Sequence, residues 1–558
     1  MIDVERSRIL YSPKTSCATL VMTIVTLLAG TVIAEDRATF PTEVYWGDTH
    51  VHTYLSSDAY IGGARLTPDQ AYRFARGETV RTSGGRDARL IRPLDFLMVA
   101  DHAENLGVMA ALATEADALP DSAAKARWQK SVAELPDLSS VVNSDTLEEF
   151  LQGGKSMVTV RPAGDVEYEL SDDFRRSAWE RVIVAAENHN TPGVFTTFIG
   201  FEWTARFRES KPNMIHRNVM FADGANRVRH VLPYSRYDSN DVEDLWAYLD
   251  DYEARFAGQA IAIPHNGNIS GGGMFALRTI DGEPFTQAYA SKRARWEPVV
   301  EVTQLKGDGE THPLLSPDDA FADFETWPPP PEAFLLAEAA REAADSAKGK
   351  TSAKKGKSSK KSDGPGTEKY SYTRSALKLG LEQQHALGAN PFKFGMIGST
   401  DSHTGMTGAD EASAWGVGEP GRYRAINRWY YNSSGYAAVW AAENTRESLF
   451  AALKRRETYA TTGPRMVVRF FAGWDFAVED ADQADFVRRG YSKGVPMGGD
   501  LTRAPVGASP RFLISAAKDP HGANLDRIQV IKGWRSVDGK LHEKVYDVAL
   551  SDDRTVGK

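Results

Sequence analysis

One stretch, Val44-Tyr45-Trp46-Gly47-Asp48-Thr49-His50-Val51-His52-Thr53, decides the fold and the site expected for this chain. Its first three residues are a short β-prone apolar run, so we predict that the stretch lies at the end of a strand. Side chains alternate across an extended backbone, and two histidines two positions apart therefore project to the same side. The pattern indicates that His50 and His52 can hold one metal ion at the carboxyl end of this strand.

The composition is that of an ordinary globular protein. Of 558 residues, 42% are hydrophobic and 25% are charged, and a chain of this length favours two domains. The formal net charge is −9 with the seven lysines of Lys348–Lys361 and −16 without them. An acidic surface disfavours nucleic-acid binding, so we expect no nucleic-acid partner.

Residues 1–34 are predicted to be a signal peptide for export. A basic start precedes an apolar run at residues 18–33, and Ala34 ends a small-residue cleavage site. The run is short for a membrane span, and an uncleaved anchor is the alternative. The only cysteine, Cys17, lies in this segment, so the mature chain would hold neither a disulfide nor a thiolate. We therefore expect a periplasmic or secreted protein without a stable membrane anchor after cleavage.

Seven short apolar runs recur along the chain, and each is accompanied by polar residues. The runs are Val44–Trp46, Phe96–Ala100, Phe195–Gly200, Asn218–Phe221, Ala260–Ile263, Val299–Thr303 and Phe394–Ile397. Helical character is clearest between them at Asp173–Glu187 and Val242–Phe256. Strands that alternate with helices indicate an α/β sheet or barrel, in which the C-terminal strand ends build the active site.

Two further segments fall outside this alternation. Residues 328–368 are rich in Pro and then in Lys and Ser, which predicts a flexible surface insertion; a lysine run that binds an anionic partner is the alternative. A helix predicted at Arg446–Glu457 is followed by strand-like runs joined at one point by an Asp538-Gly539 turn. The runs are Met466–Phe471, Arg511–Ala516, Arg527–Ile531 and Lys544–Leu550. We predict a small all-β domain over residues 461–558.

Histidines and carboxylates cluster next to the apolar runs. The candidate ligands are His50, His52, Asp58, His102, Glu202, His216, His265, Asp401 and His403. Singly, each has an ordinary explanation as a hydrogen-bonded histidine or a helix-capping aspartate. Together they are more numerous than one tetrahedral ion needs, and mixed His, Asp and Glu ligands without thiolate suit Zn, Mn or Fe. The sequence therefore predicts two or three divalent metal ions.

The order of these motifs resembles the polymerase-and-histidinol-phosphatase (PHP) superfamily. More closely, the segments YWGDTHVHT, FIGFEW, HRNVMF, PFKFGMIGSTDSHTG and RRETYATTGPR resemble the DUF3604 family. The resemblance spans residues 44–558 and implies a PHP-type distorted (β/α)7 barrel over residues 40–460 with a trinuclear metal centre. It also implies that the C-terminal all-β domain, similar to part of a β-sandwich, is incomplete, because family members usually continue farther. Such a truncated chain is expected to be less soluble than an extended one.

The same resemblance assigns the nine candidate residues to the metal centre, with Glu202 as a bridging carboxylate. Asp58 stands where superfamily members often place His, and His216 begins its apolar run instead of ending it. Such a centre implies a hydrolase in which Glu202 and Asp401 serve the reaction as ligands. Arg217 and Lys306 are candidate cationic contacts to a small phosphorylated substrate.

Two further residues, Glu310 and His312, are candidate substrate contacts, because they follow the sixth apolar run. The expected activity is that of an exported metal-dependent phosphoesterase, either a phosphatase or a phosphodiesterase. Two alternatives stay open at this point. One is a metal-dependent hydrolase of an amide or lactone, and the other is a metal-stabilised binding protein without catalysis.

Overall fold

The stretch at residues 44–53 begins in strand β1 (Glu43–Val51), which is an inner strand of a seven-stranded sheet. The computed structural model of the protein describes residues 40–133, 170–206, 213–327, 366–409, 434–552 and 554, apart from residues 116, 118, 120 and 122. The predicted signal peptide and nearly all of the insertion predicted at 328–368 lie outside the described residues.

The elements below follow chain order within the described residues. The strands are β1, β2 (Val80–Arg81), β3 (Asp87–Ala88), β4 (Phe96–Val99), β5 (Thr196–Trp203), β6 (Arg217–Phe221), β7 (Ala260–Pro264), β8 (Val299–Gln304), β9 (Gly307–Asp308), β10 (Gly395–Gly398), β11 (Tyr436–Ala441), β12 (Thr458–Thr461), β13 (Val467–Gly473), β14 (Gly494–Pro496), β15 (Arg511–Ala517), β16 (Arg527–Arg535) and β17 (Leu541–Leu550). The helices are α1 (Ser57–Ile61), α2 (Pro68–Ala75), α3 (Val108–Thr114), α4 (Ala123–Ala133), α5 (Asp172–His189), α6 (Ala225–Val228), α7 (Val242–Phe256), α8 (Gln287–Trp296), α9 (Thr373–Leu387), α10 (Arg446–Arg455) and α11 (Phe486–Lys493).

The seven-stranded sheet has the order β12-β11-β1-β4-β5-β6-β7 and curls into a half-barrel. Strands β1, β4 and β5 pair in parallel, whereas β5–β6, β6–β7, β1–β11 and β11–β12 are antiparallel. A second sheet, β10-β8-β9, contains the parallel pair β8–β10. The α/β class is confirmed. The strands depart from a regular series of seven parallel β/α units, because β6 pairs antiparallel with both β5 and β7.

Two hydrophobic layers lie on opposite sides of the curled sheet. The inner layer takes side chains from both sheets, namely Phe96, Met98, Phe198, Met220, Ile261, Ile263, Val299, Ile397, Ala437 and Val439. The outer layer packs the sheet against helices and includes the buried indoles of Trp179 and Trp246. Residues from β8 and β10 share the inner layer with the large sheet, so the carboxyl ends of their strands open toward one common region.

Part-way along strand β1, the alternation of its side chains between the two faces of the sheet is reversed. Tyr45 packs against the inner layer and Trp46 belongs to the outer layer. Uninterrupted alternation would place Val51 in the inner layer, but Val51 belongs to the outer one. The pairing with β4 explains this, because the step Asp48–Val51 faces only the shorter step Leu97–Val99. One extra residue in β1 therefore forms a β-bulge.

The carboxylate of Asp48 holds this bulge in place. It accepts hydrogen bonds from the backbone N–H groups of His50 (3.0 Å) and Thr400 (3.1 Å). It also accepts hydrogen bonds from the hydroxyls of Thr400 (2.6 Å) and Thr407 (2.7 Å). Beyond the bulge, His50 and His52 face the inside of the curled sheet, as their two-residue spacing predicts.

The helices predicted before the C-terminal region are found. The predictions Asp173–Glu187 and Val242–Phe256 match α5 and α7, whose first turns are capped by Ser171 and Asp241. Helix α10 ends earlier than predicted, because Arg456 adopts a left-handed φ of 64°. Within the described residues, no helix is both long and apolar enough to cross a membrane.

Beyond residue 461 the chain forms a three-stranded sheet, β14-β13-β15, and a two-stranded ribbon, β16–β17. The four strands predicted there are found, and Gly539 turns the ribbon with a φ of 87°. A small separate core contains Phe471, Phe476 and Leu513. The described residues from 40 onward nonetheless form one compact unit, so the domain boundary at 461 stays a prediction.

Candidate metal centre

The strand ends bring the predicted ligands together. The backbone N–H of His52 donates to the carbonyl of Ser402 (2.7 Å), which aligns the end of β1 with the chain after β10. A parallel bridge joins His102 to Glu202, and the N–H of His265 donates to the carbonyl of His216 (3.3 Å). All nine candidate ligands lie in one connected cluster of side chains.

Four ligand atoms converge at the centre of this cluster. The Nε2 atoms of His50 and His52 are 3.1 Å apart. The Oε2 atom of Glu202 lies 3.4 and 3.2 Å from them, and the Oδ1 atom of Asp401 also lies 3.4 and 3.2 Å away. An ion bound tetrahedrally at about 2.0–2.1 Å separates its ligand atoms by about 3.3–3.4 Å. These five separations are therefore close to those of ligand atoms around one divalent cation.

A second group surrounds Asp58, which α1 presents from its first turn. The Oδ2 atom of Asp58 lies 3.0 Å from Nε2 of His102 and 3.1 Å from Nε2 of His403. Nδ1 of His403 lies 2.8 Å from the carbonyl oxygen of Asp401, to which it can donate, so Nε2 is left to face Asp58. The carboxylate of Asp58 is thus placed where it could bind an ion together with these two imidazoles.

Glu202 joins a third group to the first. Its Oε1 atom lies 2.7 Å from Nδ1 of His216 and 3.1 Å from Nε2 of His265. Its Oε2 atom faces the central group instead, as well as Nδ1 of His102 at 3.2 Å. One buried carboxylate thus presents its two oxygens to two separate sets of imidazoles, an arrangement suited to bridging two ions.

Comparison with known proteins identifies the family to which the chain belongs. A sequence profile of the family described as "Protein of unknown function (DUF3604)" matches residues 39–558. The chain belongs to the DUF3604 family. A search of curated proteins found no match.

One solved structure is similar to this DUF3604 protein over most of both chains. It is a two-domain protein containing a "predicted PHP-like metal-dependent phosphoesterase" from Bacteroides vulgatus ATCC 8482. The identity is 9% and the TM-score is 0.28, with 91% of this chain and 95% of that chain covered. A likeness this distant carries no argument, so the functional assignment depends on the site itself.

Burial and charge set the ionisation of the cluster in the DUF3604 protein. Burial would raise the pKa of Glu202, but His102, His265 and His216 lower it well below its ordinary value. Burial likewise opposes ionisation of Asp401, whose pKa Lys306 and His50 nevertheless hold well below its usual range. The carboxylates therefore stay anionic, which is the form that binds a cation.

The imidazoles differ among themselves. Burial lowers the pKa of His216 to about 4, so its electron pair stays available. Burial also opposes protonation of His102, but Asp58 and Glu202 raise its pKa to about 10. In the absence of metal, His102 therefore carries a proton, and so does His50, because burial opposes this but Asp401 and Glu301 raise its pKa well above the ordinary value.

Lys306 lies at the centre, whereas Arg217 does not. The Nζ atom of Lys306 donates to Oδ2 of Asp401, and its side chain is 18% exposed. The guanidinium of Arg217 is directed to the outer layer, where Nε donates to Glu297 (3.0 Å) and Nη1 to the carbonyl of Ile215. Arg217 is thus corrected from a substrate contact to a buried structural residue.

The two weaker candidates also lie elsewhere. Glu310 is 3.6 Å from the guanidinium of Arg374, and the ring of His312 contacts Tyr372 with centroids 5.5 Å apart. Neither residue belongs to the groups that could hold an ion within the described part of the chain, and their contact with a substrate stays a prediction.

Glu301 is a site residue that sequence reasoning missed. It lies in β8 on the same face as Val299, and its Oε1 and Oε2 atoms are 3.2 and 3.1 Å from Nδ1 of His50. Only 4% of Glu301 is exposed. The available signal was a carboxylate in the middle of an apolar, fully buried run, where an unpaired charge is costly.

Proposed function

We propose that this DUF3604 protein is a metal-dependent hydrolase of small phosphoesters that uses two or three divalent ions. The observation that supports the proposal most is the bridging geometry of Glu202, with one oxygen toward His50 and His52 and the other toward His216 and His265. When bound, clustered divalent ions lower the pKa of a water molecule toward neutrality and neutralise an anionic substrate.

The residues of the chain would hold and orient the reacting groups. His50, His52, Glu202 and Asp401 fix the central position, and their burial excludes bulk water from it. Lys306 adds a cation beside Asp401 at the more exposed side of the cluster, where an anionic group of the substrate would lie. A site that gathers several cations suits hydrolysis at a phosphoryl group, because the transition state of that reaction spreads negative charge over the phosphoryl oxygens.

Three further proposals accompany this function. The curled sheet belongs to a distorted PHP-type (β/α)7 barrel, and the segment beyond residue 461 forms an appended β domain. The protein is exported to the periplasm or the medium through its first 34 residues. Its substrate is a small phosphorylated molecule, and nucleic acid is not a partner.

The test combines metal analysis with a substrate panel. Full-length protein purified without chelator should contain two to three metal equivalents and should hydrolyse a phosphomonoester or a phosphodiester. Chelation should abolish turnover while the circular dichroism spectrum persists, and added metal should restore turnover. Glu202→Gln should lose metal and activity, whereas Glu180→Gln, at an exposed ion pair with Arg229, should change neither. Less than about one metal equivalent, or turnover of lactones or amides alone, would refute the proposal.

A further inference from the structure

We propose that Glu301 is a positioning residue for the metal centre and not one of its ligands. Its carboxylate accepts a hydrogen bond from the Nδ1–H group of His50 and thereby fixes Nε2 as the metal-facing atom. This inference rests on the proposed metal centre and assigns a residue that the family motifs do not include.

The geometry around His50 carries the first step. Both oxygens of Glu301 lie within 3.1–3.2 Å of Nδ1, as expected for a carboxylate placed symmetrically about one N–H donor. On the opposite side of the ring, Nε2 lies 3.1–3.4 Å from ligand atoms of His52, Glu202 and Asp401. A neutral imidazole has one N–H and one electron pair, so a proton directed at Glu301 leaves the pair directed at the central position.

The other histidine of the motif, His52, also has a hydrogen-bond partner at Nδ1, although different residues supply it. Nδ1 of His52 is 2.9 Å from the hydroxyl oxygen of Ser56, which lies 3.0 Å from Oδ1 of Asp101. An ionised carboxylate only accepts, so the Ser56 hydroxyl donates to Asp101 and accepts the Nδ1 proton of His52. His52 therefore also presents Nε2 to the central position. Both histidines of the motif have their tautomer set by a group behind the ring.

The alternative is that Glu301 binds an ion with His50 and His265, since these three residues also lie close together. His50 would then have to use Nδ1 for that ion, while its Nε2 faces the central group. A single imidazole would then have to lose its N–H proton to bridge two cations, and Nδ1 would have no hydrogen to donate to Glu301. In the positioning role, Nδ1 of His50 donates to Glu301 and Nε2 faces only the central ion. This is the simpler assignment.

Zinc binding to the full-length protein tests the proposal without any need for a substrate. The probe is Zn²⁺ in competition with a chromophoric chelator, measured for wild type, Glu301→Ala, Glu301→Gln and the surface control Glu180→Ala. Glu301→Ala should weaken the tightest zinc site by roughly 10–100-fold, as is usual for the loss of a group behind a metal-bound histidine. Glu301→Gln should lose less, because its amide oxygen still accepts the Nδ1 proton.

The number of zinc ions bound at saturation separates the two roles. A positioning residue changes affinity and leaves the number unchanged, whereas loss of a ligand lowers the number by about one. An intact Glu301→Ala protein with wild-type affinity, or with one zinc fewer, would overturn the proposal. If Glu301→Ala does not fold, the number of zinc ions bound by Glu301→Gln decides: an unchanged number supports the positioning role, and one zinc fewer overturns it. A wild-type protein that binds no zinc or other divalent ion would instead refute the proposed function.

Discussion

Replacing Asp401 with Asn should disable the metal centre although it preserves the shape of the side chain. Oδ1 of Asp401 is one of the four converging ligand atoms, and Oδ2 accepts hydrogen bonds from Nε2 of Gln304 (2.7 Å) and Nζ of Lys306. With its oxygen toward the ions, the asparagine would direct its NH₂ group at two donors. With the amide flipped, it would direct the NH₂ group at the ions. Neither orientation satisfies the site, and only 1% of this residue is exposed to water.

The magnitude follows from these contacts. The loss of a group behind a ligand already weakens metal binding by roughly 10–100-fold, and loss of the ligand itself costs more. We expect zinc affinity and turnover each to fall at least about a hundredfold, which corresponds to about 2.7 kcal/mol. The matched control is Asp500→Asn, which breaks an exposed pair with Lys393 and should change affinity by less than about threefold.

The assay is zinc competition together with turnover of whichever phosphoester the wild-type protein hydrolyses. Wild-type metal content and turnover in a folded Asp401→Asn protein would refute the reasoning. An equal loss in Asp500→Asn would show that the effect is not specific to the centre.

Two further predictions concern groups outside the centre. Arg217→Met should lower the free energy of unfolding by about 3 kcal/mol, because it breaks a buried ion pair with Glu297. The metal content should not change. A loss of bound metal in the folded variant would show that Arg217 does belong to the metal site. Asp519 is buried, which alone would raise its pKa, but backbone hydrogen bonds and the Arg92 guanidinium lower it to about 2. Its carboxylate therefore stabilises the fold above the unfolded-state pKa near 3.8, and this contribution is lost as the pH falls through about 2. Asp519→Asn should cost about 2 kcal/mol in urea unfolding at pH 6 and much less at pH 2.5; a difference that does not depend on pH would contradict this origin.

The sequence predicts well most strands of the sheets and the side chains that cluster at their ends, because both depend on local patterns. Short apolar runs of β-prone residues become buried strands, and side chains at their carboxyl ends meet where the curled sheet opens. The two strands of the seven-stranded sheet that are missing from the prediction, β11 and β12, show the limit of this reasoning. The run of β11 is YAAVWA, whose alanines do not favour a strand, and its pairing with β1 is set by packing between distant parts of the chain.

The errors in the site have identifiable causes. Arg217 directly follows His216 in an extended segment, so a histidine that faces the cluster requires the arginine to face away. Alternation would have excluded Arg217 had it been applied to this pair. Glu301 was missed for a different reason. It lies inside an apolar run, whereas the candidate ligands were sought at the ends of such runs. Its function depends on His50, a neighbour from another strand, which the spacing of residues along the chain does not reveal.

The bulge in β1 also decides which face of the sheet carries the two histidines. If the same residues continued in regular alternation from Tyr45, His50 and His52 would face the outer layer, away from the other candidate ligands. The bulge lets a longer step of β1 face a shorter step of β4, so it reverses the direction of the side chains while the two strands remain paired. One extra residue, held in place by Asp48, thus determines whether β1 contributes any ligand to the centre.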